Sequence, residues 1–270
     1  MAALVVDHVG ARNAAALARG RFPLLIKLLD ANQDLSVQVH PDDAYAAAHE
    51  GGESGKAEMW YVLHAPPGYE LIRGLAPGVT REAFRAALLR GDIGPLLHRI
   101  PVAAGDAIEV ASGTVHAILA GAVVAEIQQT SDVTYRVYDW GRVGDDGRPR
   151  PLHIDRALDV IDFGAPPGGA VIPRTLQRAR TGSSELLVSR PQFTTERIIL
   201  APGAAYDGRC DGATFEIWGC VSGAATLEAP AAGAPGGVPL PAVRFVLLPA
   251  ALGTFAVRSA EGATLLRVFV

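Results

Sequence analysis

The chain has 270 residues, of which 49% are hydrophobic and 19% charged, with a formal net charge of −4. That apolar content supports a sizeable core and excludes a chain disordered in its main state. The length suits one large β-barrel or two ordinary domains. The small negative charge lacks the basic excess of a dedicated nucleic-acid binder.

The only cysteines are Cys210 and Cys220, which form no disulfide framework and fit a reducing compartment. Residues 1–12 have no basic segment followed by an apolar run, so no signal peptide is expected. No apolar run approaches the roughly 20 residues of a membrane span. The expectation is a soluble, cytoplasmic protein. Lysine occurs only at Lys27 and Lys56 among 24 basic residues. A composition that avoids lysine draws attention to those two.

In chain order, residues 1–21 are Ala-rich and read as helical. Phe22 to Leu29 is apolar, with Lys27 inside it. Leu35 to His40 alternates and ends in turn chemistry at Pro41-Asp42-Asp43, as a strand and its exit do. Asp43 to Glu50 reads as a short helix. Ala57 to His64 reads as a strand closed by Pro66-Pro67-Gly68. Thr80 to Arg90 is the clearest helix: Thr80 is a good N-cap, Glu82 suits the first turn, and Phe84 and Leu88 share a face. A second helical piece is expected over Ile93 to His98. Short strands follow at 107–110, 114–119, 122–129 and 133–138, separated by Gly, Asp and Ser turns, which suggests a barrel or sandwich. Leu152 to Ile161 reads as a helix. Gly164 to Pro173 is the expected linker. Strands resume from Glu185 to the end, with Ala229 to Pro241 as a loop.

All seven histidines lie at or before His153, so any imidazole site belongs to the first half. Residues two apart on a strand share a face. Gln38 and His40 are so spaced, as are Lys56 and Glu58, Glu126 and Gln128, and Asp132, Thr134 and Arg136. His116 follows a Ser-Gly turn. If these strands curl into a barrel, their polar faces line its lumen, which is costly unless the groups pair or bind something. Two histidines and a carboxylate form an ordinary ligand set for zinc at a catalytic centre, with Gln38 as a weaker oxygen donor. Against this stands the plainer reading of each residue alone: a satisfied histidine, a cross-strand Lys56–Glu58 pair, an Arg136 that neutralises Asp132. His49, His64, His98 and His153 stay under it.

Five segments in order carry a resemblance. They are FPLLIKLLDA (22–31), LSVQVHPDD (35–43), GKAEMWY (55–61), SGTVHA (112–117) and EIQQTSDVTYRVYDW (126–140). They resemble type I phosphomannose isomerase, in its short bacterial branch, well over residues 21–162 and loosely beyond. The resemblance implies a mainly β fold: a cupin-type, jelly-roll-like barrel with a small helical insertion, followed by a second smaller β-barrel. On that pattern residues 1–163 form the metal-binding barrel, with the insertion near 80–98, and residues 174–270 a degenerate cupin-like domain. It implies one bound Zn2+ per chain and interconversion of mannose 6-phosphate and fructose 6-phosphate through an enediol. His40, Glu58 and His116 match the family's zinc ligands and Gln38 the additional one. Arg136 matches the catalytic arginine. Lys56 and Glu126 match pocket residues, and Lys27 and Ser36 match positions near the sugar phosphate. Glu126 is the first choice of general base by chemistry, and Lys56 the second. Both lysines of the chain therefore fall on site positions. The expected partner is a small sugar phosphate, with no nucleic acid and no membrane; the sequence sets no oligomeric state.

The Trp-Gly-Gly and Gly-Glu-x-Trp motifs of longer relatives do not occur here, so the N-terminal part of the family pattern is expected to be missing. The runner-up reading is therefore a non-catalytic sugar-phosphate-binding cupin. A weaker third is another metal-dependent cupin enzyme, which the ligand types alone permit. Cys210 and Cys220 read as buried small residues.

Overall fold

The computed structural model describes residues 2–13, 20–144, 147–230 and 236–270. It divides into two compact units, residues 24–171 and residues 1–23 with 172–270. Helix α1 (Ala2–Val9) opens the chain. The helix expected over residues 1–21 ends at Val9 and is followed by a short 3₁₀ turn over Ala11–Asn13; the stretch 14–19 lies outside the described residues.

Among its described residues the 24–171 unit holds nine strands: β1 (Leu24–Asp30), β2 (Val37–Val39), β3 (Glu58–His64), β4 (Glu70–Leu75), β5 (Leu97–Pro101), β6 (Ala107–Val110), β7 (His116–Ala117), β8 (Val123–Gln129) and β9 (Tyr135–Tyr138). They form two antiparallel sheets, β1-β8-β3-β6 and β5-β4-β7-β2-β9. Between the sheets a core forms from Trp60, Val62, Leu71, Ile100, Ile108, Ile118 and Val124. This is the curled, jelly-roll-like β architecture expected.

Strand alternation sends the other face of the second sheet outward. There Val37, Val39, Val115, Ala117, Tyr135 and Val137 pack under three helices' worth of apolar cover. Helix α2 (Asp43–His49) follows β2, capped by the Asp42 carboxylate, which accepts from the Tyr45 N–H. Helix α3 (Arg81–Arg90) starts at Thr80, whose hydroxyl accepts from the Ala83 N–H, and stops at Gly91 in the left-handed region. It contributes Phe84, Ala87 and Leu88, and α4 (Ile154–Val160) contributes Ala157 and Leu158. Covering this face leaves the inner face, which carries residues 38, 116 and 136, free to build a site.

One expectation fails here. Ile93 to His98 is not a helix: a 3₁₀ turn over Gly94–Leu96 gives way at once to β5. Pro95 suits only a first turn, and pairing with β4 decides the rest. Strand β4 itself was not foreseen.

The other unit holds β10 (Arg174–Ala179), β11 (Gly182–Ser189), β12 (Thr194–Leu200), β13 (Ala205–Cys210), β14 (Glu216–Glu228), β15 (Val238–Pro241), β16 (Arg244–Leu248), β17 (Gly253–Arg258) and β18 (Ala263–Phe269). The long β14 pairs with β16 and β18 along its first half and with β15 and β17 along its second, which curls the sheet around Trp218, Phe255, Val257 and Leu265. Strand β15 occupies part of the segment expected to be a loop; residues 231–235 lie outside the described ones. Residues 1–23 cluster with this unit and not with the barrel expected over residues 1–163. The cause is non-local pairing: Ala11 N–H donates to Gly212 O, Ala250 N–H to His8 O, and the Asn13 amide to Thr214 Oγ1.

Inside this unit Arg267 bridges Glu196 and Glu216, and the Trp218 indole N–H also donates to Glu216. Cys210 and Cys220 are free and buried. Burial pushes the Cys210 thiol up to about 12 and raises Cys220 as well, which makes both poor nucleophiles.

Candidate metal centre and pocket

Two glycines bring the site segments together. Gly55 packs so closely on the Asp42–Asp43 backbone that a Cβ would lie 2.4 Å from Asp42 C. With the Lys56 N–H donating to Pro41 O, this seats Lys56 and Glu58 beside the exit of β2. Gly113, at φ +84°, turns the chain before His116 and donates its N–H to His40 O.

His40, Glu58 and His116 each bring one ligand atom to a common point, all within 4.8 Å of one another. All three residues are buried. His40 Nδ1–H donates to Val133 O and His116 Nδ1–H to Thr114 O, both at 2.9 Å. Each ring thus keeps its Nε2 lone pair, and both Nε2 atoms face Glu58, at 3.3 and 3.7 Å. Lys56 Nζ stands 2.9 Å from Glu58 Oε1, yet neither carboxylate oxygen accepts a hydrogen bond of acceptable geometry. Gln38 Nε2 lies 3.3 Å from His116 Nε2, and the Ser36 hydroxyl lies 3.5 Å from Gln38 Oε1.

Burial drives both imidazoles toward the neutral form. It lowers His40 against the upward pull of Glu58, and it takes His116 down to about 3 with help from His40. Burial pushes the Glu58 carboxyl up, but the Lys56 ammonium 2.9 Å away, joined by the histidines only when they carry a proton, outweighs it and holds the group below the usual carboxylate range. Two lone pairs and a carboxylate whose near positive charge is the Lys56 ammonium therefore converge in a buried site. Such an array is stable only around positive charge, and these donor types suit a divalent metal such as zinc.

A cavity of about 230 Å³ opens beside this cluster. Its lining includes Lys27, Gln38, Lys56, His116, Glu126 and Thr134, with apolar walls at Leu29, Leu35, Trp60 and Ile118. Sheet register explains the polar side: Lys27, Glu126 and Trp60 are partners in one row across β1, β8 and β3. Lys27 Nζ donates to Glu126 Oε1 at 3.2 Å, and the Trp60 indole N–H to Glu126 Oε2 at 3.2 Å. Burial and the Glu58 charge raise Glu126 above the ordinary carboxylate value, against the pull of Lys56 and Lys27.

The structure thus brings together Gln38, His40, Lys56, Glu58 and His116, and places Lys27 and Glu126 on the same cavity. Ser36 is buried and reaches the group through Gln38. Arg136 is the register partner of Gln38 but stands apart from the lining: its guanidinium donates to Pro151 O at 3.0 Å, and its Nε has no partner. Gln128 belongs to the polar face expected from strand spacing but carries no assigned role there, and Trp60 is absent from that expectation. The even spacing of Trp60 from Glu58 is the available signal.

Fold and site together define a cupin-like barrel with a candidate metal centre. The phosphomannose isomerase type I catalytic domain matches residues 5–66. A solved mannose 6-phosphate isomerase from Bacillus subtilis is 33% identical, with a TM-score of 0.81, over 93% of this chain and 76% of that one. The chain belongs to the type I phosphomannose isomerase family. The mannose-6-phosphate isomerase of Streptococcus mutans is 50% identical over 173 residues, 64% of this chain and 53% of that protein. A probable mannose-6-phosphate isomerase of B. subtilis is 54% identical over 140 residues, 52% of this chain and 44% of that protein. The chain spans about half the length of the curated relatives it matches.

Proposed function

We propose that this chain is a zinc-dependent aldose–ketose isomerase that interconverts mannose 6-phosphate and fructose 6-phosphate through an enediol. The observation that carries the reading is a buried His40–Glu58–His116 cluster opening on a cavity that also holds two lysines and a carboxylate of raised basicity. His40, Glu58 and His116 would hold the zinc, with Gln38 as an additional ligand. When bound there, zinc supplies a Lewis acid that stabilises anionic oxygen.

The chain's own groups do the rest. Glu126 takes the proton from one of carbons 1 and 2 and returns it to the other; burial makes its carboxylate a better base near neutral pH. Lys56 is the second choice for that part. Arg136 stays protonated, so its role is to stabilise anionic oxygen or orient substrate. Lys27 meets the phosphate as a point charge, with Ser36 nearby. The apolar walls at Leu29, Leu35 and Ile118 keep bulk water from the reacting carbons. Free, buried thiols favour a cytoplasmic location, and among the described residues no helix is long and apolar enough to cross a membrane.

The test is a coupled assay for fructose 6-phosphate formed from mannose 6-phosphate, on metal-analysed protein, with and without added zinc. Zinc-dependent turnover is expected. Binding of the sugar phosphate without turnover would instead establish the non-catalytic cupin.

A further inference from the structure

Gln128 is fully buried on the cavity-facing side of β8, two residues from Glu126. Its Nε2 donates to Gln129 O at 2.9 Å and to Ser131 O at 3.2 Å. Carbonyls only accept, so the amide nitrogen must face them and Oε1 must face the other way. There Oε1 accepts from Lys27 Nζ at 2.7 Å, closer than the 3.2 Å from Nζ to Glu126 Oε1. A flipped amide would set its oxygen against two carbonyl oxygens and its N–H groups against an ammonium. The orientation is therefore locked by backbone that also serves the metal cluster, since the neighbouring Val133 carbonyl fixes the His40 ring.

The lock matters because of what lysine is. Its long stem loses much rotamer freedom when held, and the Lys27 side chain is one-third exposed. Glu126 alone offers it a single ion pair, and Trp60 holds that carboxylate's other oxygen. Two fixed acceptors, one charged and one neutral, stop the ammonium from swinging into solvent. Two of its three protons are used, and the third remains for a ligand in the cavity that Lys27 lines.

We infer that Gln128 is a positioning residue: it holds the Lys27 ammonium at the cavity and so sets the affinity of the site for the phosphate of a sugar phosphate. The second half of this statement rests on the function proposed above; the first half does not.

The lysine-poor composition makes the test clean. Amine acylation with acetic anhydride, read by peptide mass spectrometry, reports Lys27 and Lys56 separately in the zinc-loaded protein. Gln128→Met keeps the side-chain volume and removes both the acceptor and the amide donors. Lys27 should then be acylated about fivefold faster or more, while buried Lys56 keeps its slow rate as an internal control of folding. The KM for mannose 6-phosphate should rise about tenfold, the loss of one charge-assisted hydrogen bond, with kcat within about threefold. If Lys56 also becomes reactive, the variant has lost the pocket and Gln128→Asn is read instead, with the same rise expected at Lys27. A Lys27 rate within about twofold of wild type in a folded variant overturns the positioning role. Faster labelling with unchanged KM overturns the link to phosphate. A wild-type chain without turnover refutes the isomerase reading, and the labelling rates still decide where Lys27 is held.

Discussion

Lys56 Nζ and Glu58 Oε1 stand 2.9 Å apart, with 6% and 0% of their side chains exposed. A carboxylate so deeply buried needs positive charge beside it, and before metal binds the ammonium supplies it. Lys56→Met leaves Glu58 facing two imidazole lone pairs. Removing one partner of a buried pair costs about 3–5 kcal/mol. The metal-free variant should be destabilised by that order in urea titrations, and zinc should recover most of the loss. A variant as stable as wild type without metal would show that Glu58 takes up a proton instead.

On the proposed zinc site, zinc should stabilise the wild-type protein by mass action, since the folded cluster would bind it far more tightly than the unfolded chain. At a free concentration a hundred times Kd the gain is about 2.7 kcal/mol. His116→Ala removes one ligand atom of the three. It should abolish both the zinc-dependent rise in Tm and the turnover. Full turnover by a metal-free preparation would remove zinc from the mechanism.

The cluster also sets a pH dependence for the metal-free protein. Burial lowers the folded-state values of His40 and His116, the latter to about 3. Unfolded histidines titrate near 6.5, so below that pH the unfolded chain gains protons that the folded chain refuses. More protons on the unfolded side means that stability falls with falling pH, by up to about 1.4 kcal/mol per pH unit for each such group. Glu58, held below the carboxylate range, adds to the loss at lower pH, because its stabilisation is present only while it is ionised in the unfolded chain. Urea midpoints of metal-free protein should drop from pH 7 to pH 5. A flat profile would mean that the imidazoles are protonated in the fold.

Arg136→Ala tests the charge-stabilising role proposed for this guanidinium. The pairing with Gln38 puts Arg136 on the site side of β9, yet its guanidinium bonds to Pro151 O. The variant should keep stoichiometric zinc and lose about 10²-fold or more in kcat, as the loss of a group that stabilises developing charge does. An unchanged kcat would reduce Arg136 to a structural residue.

Much of this site was legible because strand periodicity is local. The pairs 38/40, 56/58 and 126/128 announce their common faces, and the strands that carry them have β-branched or aromatic neighbours. Which strands lie side by side is not local. The row Lys27–Glu126–Trp60 exists only through the register of three strands, so neither the indole bond to Glu126 nor the amide bond to Lys27 could be read in advance. Strand β4 was hidden by Gly74 and broken alternation. Ile93, Leu96 and Leu97 fall at helical spacing, which masked the start of β5 until pairing with β4 prevailed. Residues 1–23 joined the other unit through backbone bonds to residues near 212 and 250, a partnership no spacing encodes.

Trp140 has φ +55°, a strained value for a bulky residue. What the strain obtains is visible on the pocket wall. The Trp140 indole N–H donates to Leu35 O at 2.8 Å, Arg142 donates to Asp34 O, and Arg142 is held in turn by Asp139. The Leu35 N–H donates to Ile118 O, so the residue is fixed from both sides. Leu35 and Gln38 line the cavity, and Ser36 lies between them. Trp140→Phe keeps an aromatic ring and removes the donor. The cost in stability should be modest, about 0.5–1.5 kcal/mol for one hydrogen bond. The larger effect should fall on substrate binding, a severalfold rise in KM at constant zinc content, because the freed carbonyl lets the wall shift. A KM equal to that of the wild type, with the stability loss present, would make the strained turn a device of folding alone.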